Sequence, residues 1–218
     1  MSFHSDQYKK ITDHLVGNNL NLRICVLGKS YVGKSKLILR YLSNSYDDEY
    51  DETIEDRYKI CTTLENINCL TQIVDTSGSE SYKSMIDSWI YFSDGFLLVY
   101  SSDSTESVEY LKFIIDKIIL INKDNKTNLV IVNNKYDLYD NKSEKCLENE
   151  KNAKELAQNN NADYFDSSSL SNLNIKEPFL KLIDKVSNKI IHRKSFLIES
   201  NNNTNNKTNK DDKKCFCF

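Results

Sequence analysis

Gly28-Lys29-Ser30-Tyr31-Val32-Gly33-Lys34-Ser35 leaves the apolar run Ile24-Cys25-Val26-Leu27 and opens a helical pattern carried by Leu37, Ile38 and Tyr41. The octapeptide fits G-x-x-x-x-G-K-[ST], and a strand before it with a helix after it is the setting in which that spacing has a mechanism. The glycines let backbone N–H groups wrap phosphate oxygens, and the N-terminus of the following helix adds positive potential. Lys34 is placed to reach the β- and γ-phosphates of a nucleotide, and the Ser35 hydroxyl to ligate Mg²⁺. Gly28, Lys29, Ser30, Tyr31, Val32, Gly33, Lys34 and Ser35 are therefore candidate nucleotide contacts. The chain has only five glycines, and Gly28, Gly33 and Gly78 all fall at phosphate-site positions, which argues against a chance loop.

Outward from this loop, apolar runs alternate with helical patterns. Asp56 to Thr63 and Asn68 to Val74 read as two strands about Glu65-Asn66. Gly95 to Tyr100 and Leu129 to Val132 are further buried strands, and Tyr164-Phe165 is a short last one. Val108, Leu111, Ile114, Ile115, Ile118 and Ile119 form one helical stripe, preceded by Asp103-x-x-Glu106 as a candidate capping box. Ile175, Phe179, Leu182, Ile183, Val186 and Ile190 form another, with the only proline, Pro178, in its first turn. Strands alternating with helices predict an α/β fold, a mostly parallel sheet with helices on both faces. The close strand pair at 56–63 and 68–74 predicts one antiparallel edge. Ligands bind such sheets outside the carboxyl ends of the strands, where the polar motifs lie.

Bulk composition narrows the classes. A chain of 218 residues can bury roughly 70% of its unfolded surface. A net charge of −3 gives no reason to expect nucleic-acid binding. There is no N-terminal apolar stretch of signal type and no apolar run of spanning length, so a cytosolic chain with its six cysteines free is expected.

Three more motifs follow strands. Val74 leads into Asp75-Thr76-Ser77-Gly78-Ser79-Glu80. Asp75 has the position of an acidic residue that holds Mg²⁺ through water, and the Gly78 N–H would bond a γ-phosphate. D-x-x-G alone is ordinary turn chemistry. It gains meaning by following the phosphate loop by one strand pair. Asn134-Lys135-x-Asp137 then leaves the fifth strand with the chemistry of guanine recognition: a carboxylate accepts from the ring N–H and the exocyclic amine, a donor pair that adenine lacks. Ser167-Ser168-Ser169 follows the last strand and would complete the base pocket with backbone N–H groups.

Together these elements resemble the Ras superfamily of small GTPases over residues 21 to 192, most closely the Ras and Rap branch. The resemblance implies a P-loop NTPase fold with a six-stranded sheet and five helices. It implies a monomeric switch that binds GTP and GDP with Mg²⁺. Tyr50-Asp51-Glu52-Thr53-Ile54-Glu55-Asp56, continuing through Arg57 and Tyr58, looks like that branch's switch I and effector segment. By resemblance Thr53 would ligate Mg²⁺, Tyr46 would pack against the guanine, and Tyr82 and Met85 would lie in switch II. Implied partners are exchange factors, GTPase-activating proteins and effectors with basic Ras-binding domains, which add a strand beside residues 56–63.

The departures concern catalysis. Gly78, Lys34 and position 79 form the family's hydrolytic set, and position 79 is usually a glutamine that orients the attacking water. Here it is Ser79, too short for that task; Rap proteins carry threonine. Ser30 replaces a glycine that leaves room for an activator's arginine finger, Tyr31 and Ser77 replace small residues near the γ-phosphate, and Leu170 replaces a lysine that covers the base. The expectation is a tight guanine-nucleotide binder with slow hydrolysis. The alternative is a GTP-bound, non-hydrolysing pseudo-GTPase acting as an effector-binding module.

The ends are expected to differ from the domain. Residues 1–20 read as an N-terminal extension. From 193 an Asn/Lys-rich tail is expected to be disordered, since Asn201 to Asn209 has no apolar residue. The terminal Cys215-Phe216-Cys217-Phe218 fits C-a-a-X with a residue that favours geranylgeranylation of Cys215. That predicts the cytoplasmic face of a membrane, the plasma membrane first, together with a cytosolic pool, because one lipid chain anchors weakly.

Overall fold

The structure is a computed structural model that describes residues 19–44, 53–64, 67–122, 127–141 and 143–211, with the side chains of 139–141 and 195–211 not described. Tyr46, Tyr50, Asp51, Glu52, Cys215 and the first eighteen residues lie outside the described residues. In chain order the elements are β1 (Leu20–Leu27), α1 (Lys34–Ser43), β2 (Glu55–Leu64) and β3 (Ile67–Thr76). A 3₁₀ helix (Glu80–Met85) runs into α2 (Ile86–Tyr91), followed by β4 (Gly95–Tyr100), α3 (Thr105–Asn122) and β5 (Leu129–Asn133). A second 3₁₀ helix (Tyr136–Asn141), α4 (Glu144–Asn159), β6 (Asp163–Asp166) and α5 (Lys176–Asp211) complete it.

The sheet order is β2-β3-β1-β4-β5-β6. Every pairing is parallel except β2 with β3, which runs antiparallel from Glu55↔Thr76 to Leu64↔Ile67. This is the mostly parallel sheet with one antiparallel edge that the alternation of strands and helices predicts, with the six strands and five helices that the resemblance implies. Successive side chains of a strand point to opposite faces, and β1 shows the consequence. Leu22, Ile24 and Val26 join one core with α1 and α5, whereas Cys25 and Leu27 join the other with α2, α3 and α4. Burial on both faces is why the central strands read as unbroken apolar runs. Across the first core the Tyr41 ring lies flat on Phe179, with centroids 4.2 Å apart. Such stacking contributes about 0.5–1.5 kcal/mol beyond the buried area.

Two elements, α3 and α5, differ from expectation, and one more, α4, left too little pattern to be read. The N-terminal cap of α3 is made by Ser104, whose hydroxyl accepts from the Ser107 N–H at 3.3 Å, and not by Asp103. Asp103 instead receives the Ser101 hydroxyl, and Glu106 is drawn to Lys29 of the phosphate loop. Second, α4 left little apolar pattern because its buried stripe is Asn149, Ala153 and Ala157. Third, α5 continues as helix to Asp211, across the tract expected to be a disordered linker. No glycine and, after Pro178, no proline interrupts 179–211.

Candidate functional site

The phosphate loop closes around Lys34. Its ammonium donates to the carbonyls of Gly28 at 2.9 Å and Lys29 at 3.0 Å. Burial pulls the Lys34 pKa down to about 8, against the opposing pull of Asp75. Gly33, the residue before α1, has φ 89°, in the left-handed region open to glycine. A Cβ there would also stand 2.5 Å from Nδ2 of Asn134. Tyr31 adopts φ 66° without being glycine and is 72% exposed at the loop's outer rim. Backbone of that kind is uncommon for a bulky residue and collects at functional sites.

Beside the loop lies a group of oxygen-bearing side chains, Ser35, Thr53 and Asp75. The Ser35 and Thr53 hydroxyl oxygens are 3.0 Å apart. Asp75 is fully buried, and neither of its carboxylate oxygens has a hydrogen-bond partner. Burial pushes its carboxyl up to about 6, while the nearby Ser35 hydroxyl and Lys34 ammonium pull the other way. A buried carboxylate with no well-formed hydrogen bond, near the Ser35 hydroxyl, fits a Mg²⁺ ion, which Ser35, Thr53 and Asp75 would hold.

The turn after Asp75 is clamped to both neighbours. A Cβ on Gly78 would lie 2.3 Å from the carbonyl carbon of Lys29 and from the Ser30 nitrogen, so only glycine lets this turn rest on the loop. The Ser77 N–H donates to the Ile54 carbonyl at 3.0 Å, tying the turn to the start of β2. Ser79 is the residue that caps the first 3₁₀ helix: its hydroxyl accepts from the Ser81 N–H at 3.4 Å, and its own N–H donates to the Ser77 hydroxyl at 3.2 Å.

Part of the expected effector segment faces inward. Glu55 accepts from the indole N–H of Trp89 at 2.7 Å and from Arg57 at 2.5 Å, whereas Asp56 is exposed. Burial pushes the Glu55 carboxyl up, but the Trp89 and Arg57 donors outweigh it and hold it below its ordinary value of 4.5. A depressed carboxylate adds stability above its ordinary pKa and loses it as pH falls through the depressed value. The stability advantage of the wild type over Glu55→Gln is therefore expected to be full at pH 7 and to shrink below pH 4.5. Denaturant titrations across that range check this, and a difference constant down to pH 3 would contradict it.

The base motifs meet at the far end of the loop. The Asn134 side-chain amide donates to the carbonyls of Val32 at 2.9 Å and Gly33 at 3.3 Å, and its oxygen accepts from the Ser169 N–H at 3.3 Å and hydroxyl at 3.1 Å. Asn134 thus ties phosphate loop to base loops. Lys135 holds φ 59°, turning the chain so that Asp137 comes next to Ser168, whose hydroxyl donates to its carboxylate. The Ser167 hydroxyl is spent on the Asn174 carbonyl at 2.8 Å. Leu170 is half-exposed beside this group. Sequence reasoning missed the roles of Trp89, Asn133 and Asp166, and read Glu106 as a cap rather than as the partner of Lys29. Each acts through a partner distant in sequence, so no local spacing signals it.

A parallel sheet with a phosphate-cradling loop at its centre and a guanine-type carboxylate loop at its side defines a guanine-nucleotide-binding α/β protein. A family model described as the Ras family matches residues 23–188. The chain is 32% identical over 164 residues to Ras-like protein rasB of Dictyostelium discoideum, covering 75% of this chain and 81% of that one. It is 30% identical over 166 residues to Ras-like protein rasS of the same organism, covering 76% and 84%. Protein ras-1 of Neurospora crassa is 32% identical over 164 residues, covering 75% of each. The chain belongs to the Ras family and is a small GTPase of the signalling-switch class.

Proposed function

We propose that this chain is a guanine-nucleotide switch that binds Mg²⁺·GTP and GDP tightly and hydrolyses GTP slowly. The observation that carries the slow rate is the state of Ser79. Its hydroxyl accepts from the Ser81 N–H at the start of the helix that follows it, and serine is too short, with no carbonyl and amide, to orient an attacking water. The other residues of the motifs would supply the rest of the machinery. Lys34 would steady the β- and γ-oxygens, Gly78 would donate its N–H to the γ-phosphate, and Ser35, Thr53 and, through water, Asp75 would hold the ion. Bound Mg²⁺ would neutralise charge on the β- and γ-oxygens. Asp137 would read guanine, with the N–H groups of Ser167, Ser168 and Ser169 lining the base pocket. Loss of the γ-phosphate would release Thr53 and Gly78 together, since Ile54 and Ser77 are hydrogen-bonded neighbours.

A second reading, a module that stays GTP-bound and works by binding effectors, is favoured by Tyr31. Exposed and fixed in a left-handed conformation at the loop rim, it would crowd an activator's approach. In either reading the partners are exchange factors and effectors with Ras-binding domains. β2 is an edge strand and so open to strand addition. With Glu55 turned inward, Asp56 is the described acid left to meet a basic partner. The same proposal keeps a monomer with a G domain over 21–192, geranylgeranylated at Cys215 and working at the cytoplasmic face of a membrane. Cell fractionation of Cys215→Ser tests the anchor, and a distribution identical to wild type refutes it. The nucleotide reading is tested by denaturing freshly purified protein: guanine nucleotide near one per chain is expected, and adenine nucleotide or none would contradict it.

A further inference from the structure

The two base loops leave the sheet from neighbouring residues, Asn133 at the end of β5 and Asp166 at the end of β6, which face each other in the parallel register. Their side chains are joined: the Asn133 amide donates to Oδ1 of Asp166 at 3.0 Å. Behind them stand two tyrosines. Tyr164 donates its hydroxyl to the same Asp166 oxygen at 3.0 Å, and the Tyr100 and Tyr164 hydroxyls are 2.8 Å apart. With the Tyr164 proton directed to Asp166, Tyr100 is the donor of that last pair. On the other side, the Asn133 carbonyl oxygen of the side chain accepts from the Ser102 N–H at 3.2 Å, and Asn149 of α4 donates to the Ser102 carbonyl at 2.9 Å. The backbone repeats the cross-link, with Ser167 N–H to the Asn133 carbonyl at 2.8 Å and Tyr136 N–H to the Ser167 carbonyl at 3.0 Å.

This polar chain is largely buried. Asn133, Tyr100 and Ser102 are fully enclosed. Burial first, and then the neighbouring Tyr100 and Asp166, hold the Tyr164 phenol far above its usual range, so it stays a neutral donor. The Ser102 hydroxyl itself has no partner among the described residues, but the groups that join the two loop roots are all hydrogen-bonded to one another. Such buried links rigidify what they touch, and removing one member leaves its partners unpaired. What these groups touch is the root of each base loop: Asn133 immediately precedes Asn134, and Asp166 immediately precedes Ser167.

We propose that Asn133 and Asp166, backed by Tyr164 and Tyr100, are positioning residues that set the spacing of the two base loops and with it guanine affinity and selectivity. None of them needs to touch the nucleotide. Their action runs through Asn134 and Asp137 on one loop and Ser167 to Ser169 on the other. The inference rests on the guanine-nucleotide reading above.

The test measures dissociation rates and affinities of GDP and IDP, the latter lacking the exocyclic amine, for full-length wild type, Asn133→Ala and Tyr164→Phe. Tyr164→Phe keeps the ring and its packing and removes only the hydroxyl, so it serves where Asn133→Ala fails to fold. Release of GDP is expected to be about 10-fold faster in Asn133→Ala and a few-fold faster in Tyr164→Phe. In both, the GDP-to-IDP affinity ratio is expected to fall. A ratio unchanged from wild type in the variants that fold, even with lowered melting temperature, overturns the proposal, because a merely structural role would leave base discrimination intact. A wild type that binds neither nucleotide would instead refute the underlying reading of the site.

Discussion

Replacing Asp137 with alanine is expected to lower the preference for GTP over ATP by a factor on the order of 10⁴. The size follows from what the carboxylate does. A site built around buried hydrogen-bond acceptors rejects a base that cannot fill them, because the unmet groups have been taken out of water. Ser168 already donates to Asp137, which fixes the carboxylate without consuming its capacity to accept from the base. The substitution lies in a short 3₁₀ helix outside both cores, so the fold should persist and the phosphate contacts remain. Competition of GTP and ATP against a fluorescent guanine nucleotide measures the ratio. A variant that discriminates as well as the wild type would show that Asp137 does not read the base.

Lys34→Ala is expected to weaken binding of GTP and GDP alike by about 10²–10³-fold. Truncating one partner of a buried, hydrogen-bonded charge contact costs about 2–5 kcal/mol. Two further losses point the same way. The Gly28 and Lys29 carbonyls lose the donor that draws the loop together. Asp75 loses a cation that opposes the upward pull of burial on its carboxyl, so it becomes a poorer anion for metal. Equilibrium titration with labelled GDP and GTP checks this, and affinities within a factor of ten of wild type would contradict it.

Much of this arrangement was legible in the sequence because its parts are local. The phosphate loop, Asp75 to Gly78 and Asn134 to Asp137 each sit within a few residues at a strand's carboxyl end, where backbone geometry alone brings their groups together. The central strands were legible for a different reason: burial on both faces leaves no polar alternation to confuse them with surface. What stayed hidden depends on partners far along the chain. Asn149, Ala153 and Ala157 pack α4 with little apolar signal. Glu55 reads as an exposed acid until Trp89, thirty-four positions on, is seen to donate to it. Ser79 reads as a substitution of a catalytic position; only the placement of the Ser81 N–H shows it as a cap. The base loops read as two motifs, and their common root in Asn133 and Asp166 emerges only from sheet register.

The central claim is that the turn at Asp75 to Glu80 senses the γ-phosphate but does little to cut it. Single-turnover hydrolysis of preloaded GTP, first by the chain alone and then with Ras-type and Rap-type activating proteins, tests it most directly. Slow intrinsic cleavage is predicted, with acceleration by the Rap-type activator, whose own family partner also lacks a glutamine at this place. An intrinsic rate matching family members that carry the glutamine would contradict the account, since Ser79, held as a helix cap, would then have to orient water after all.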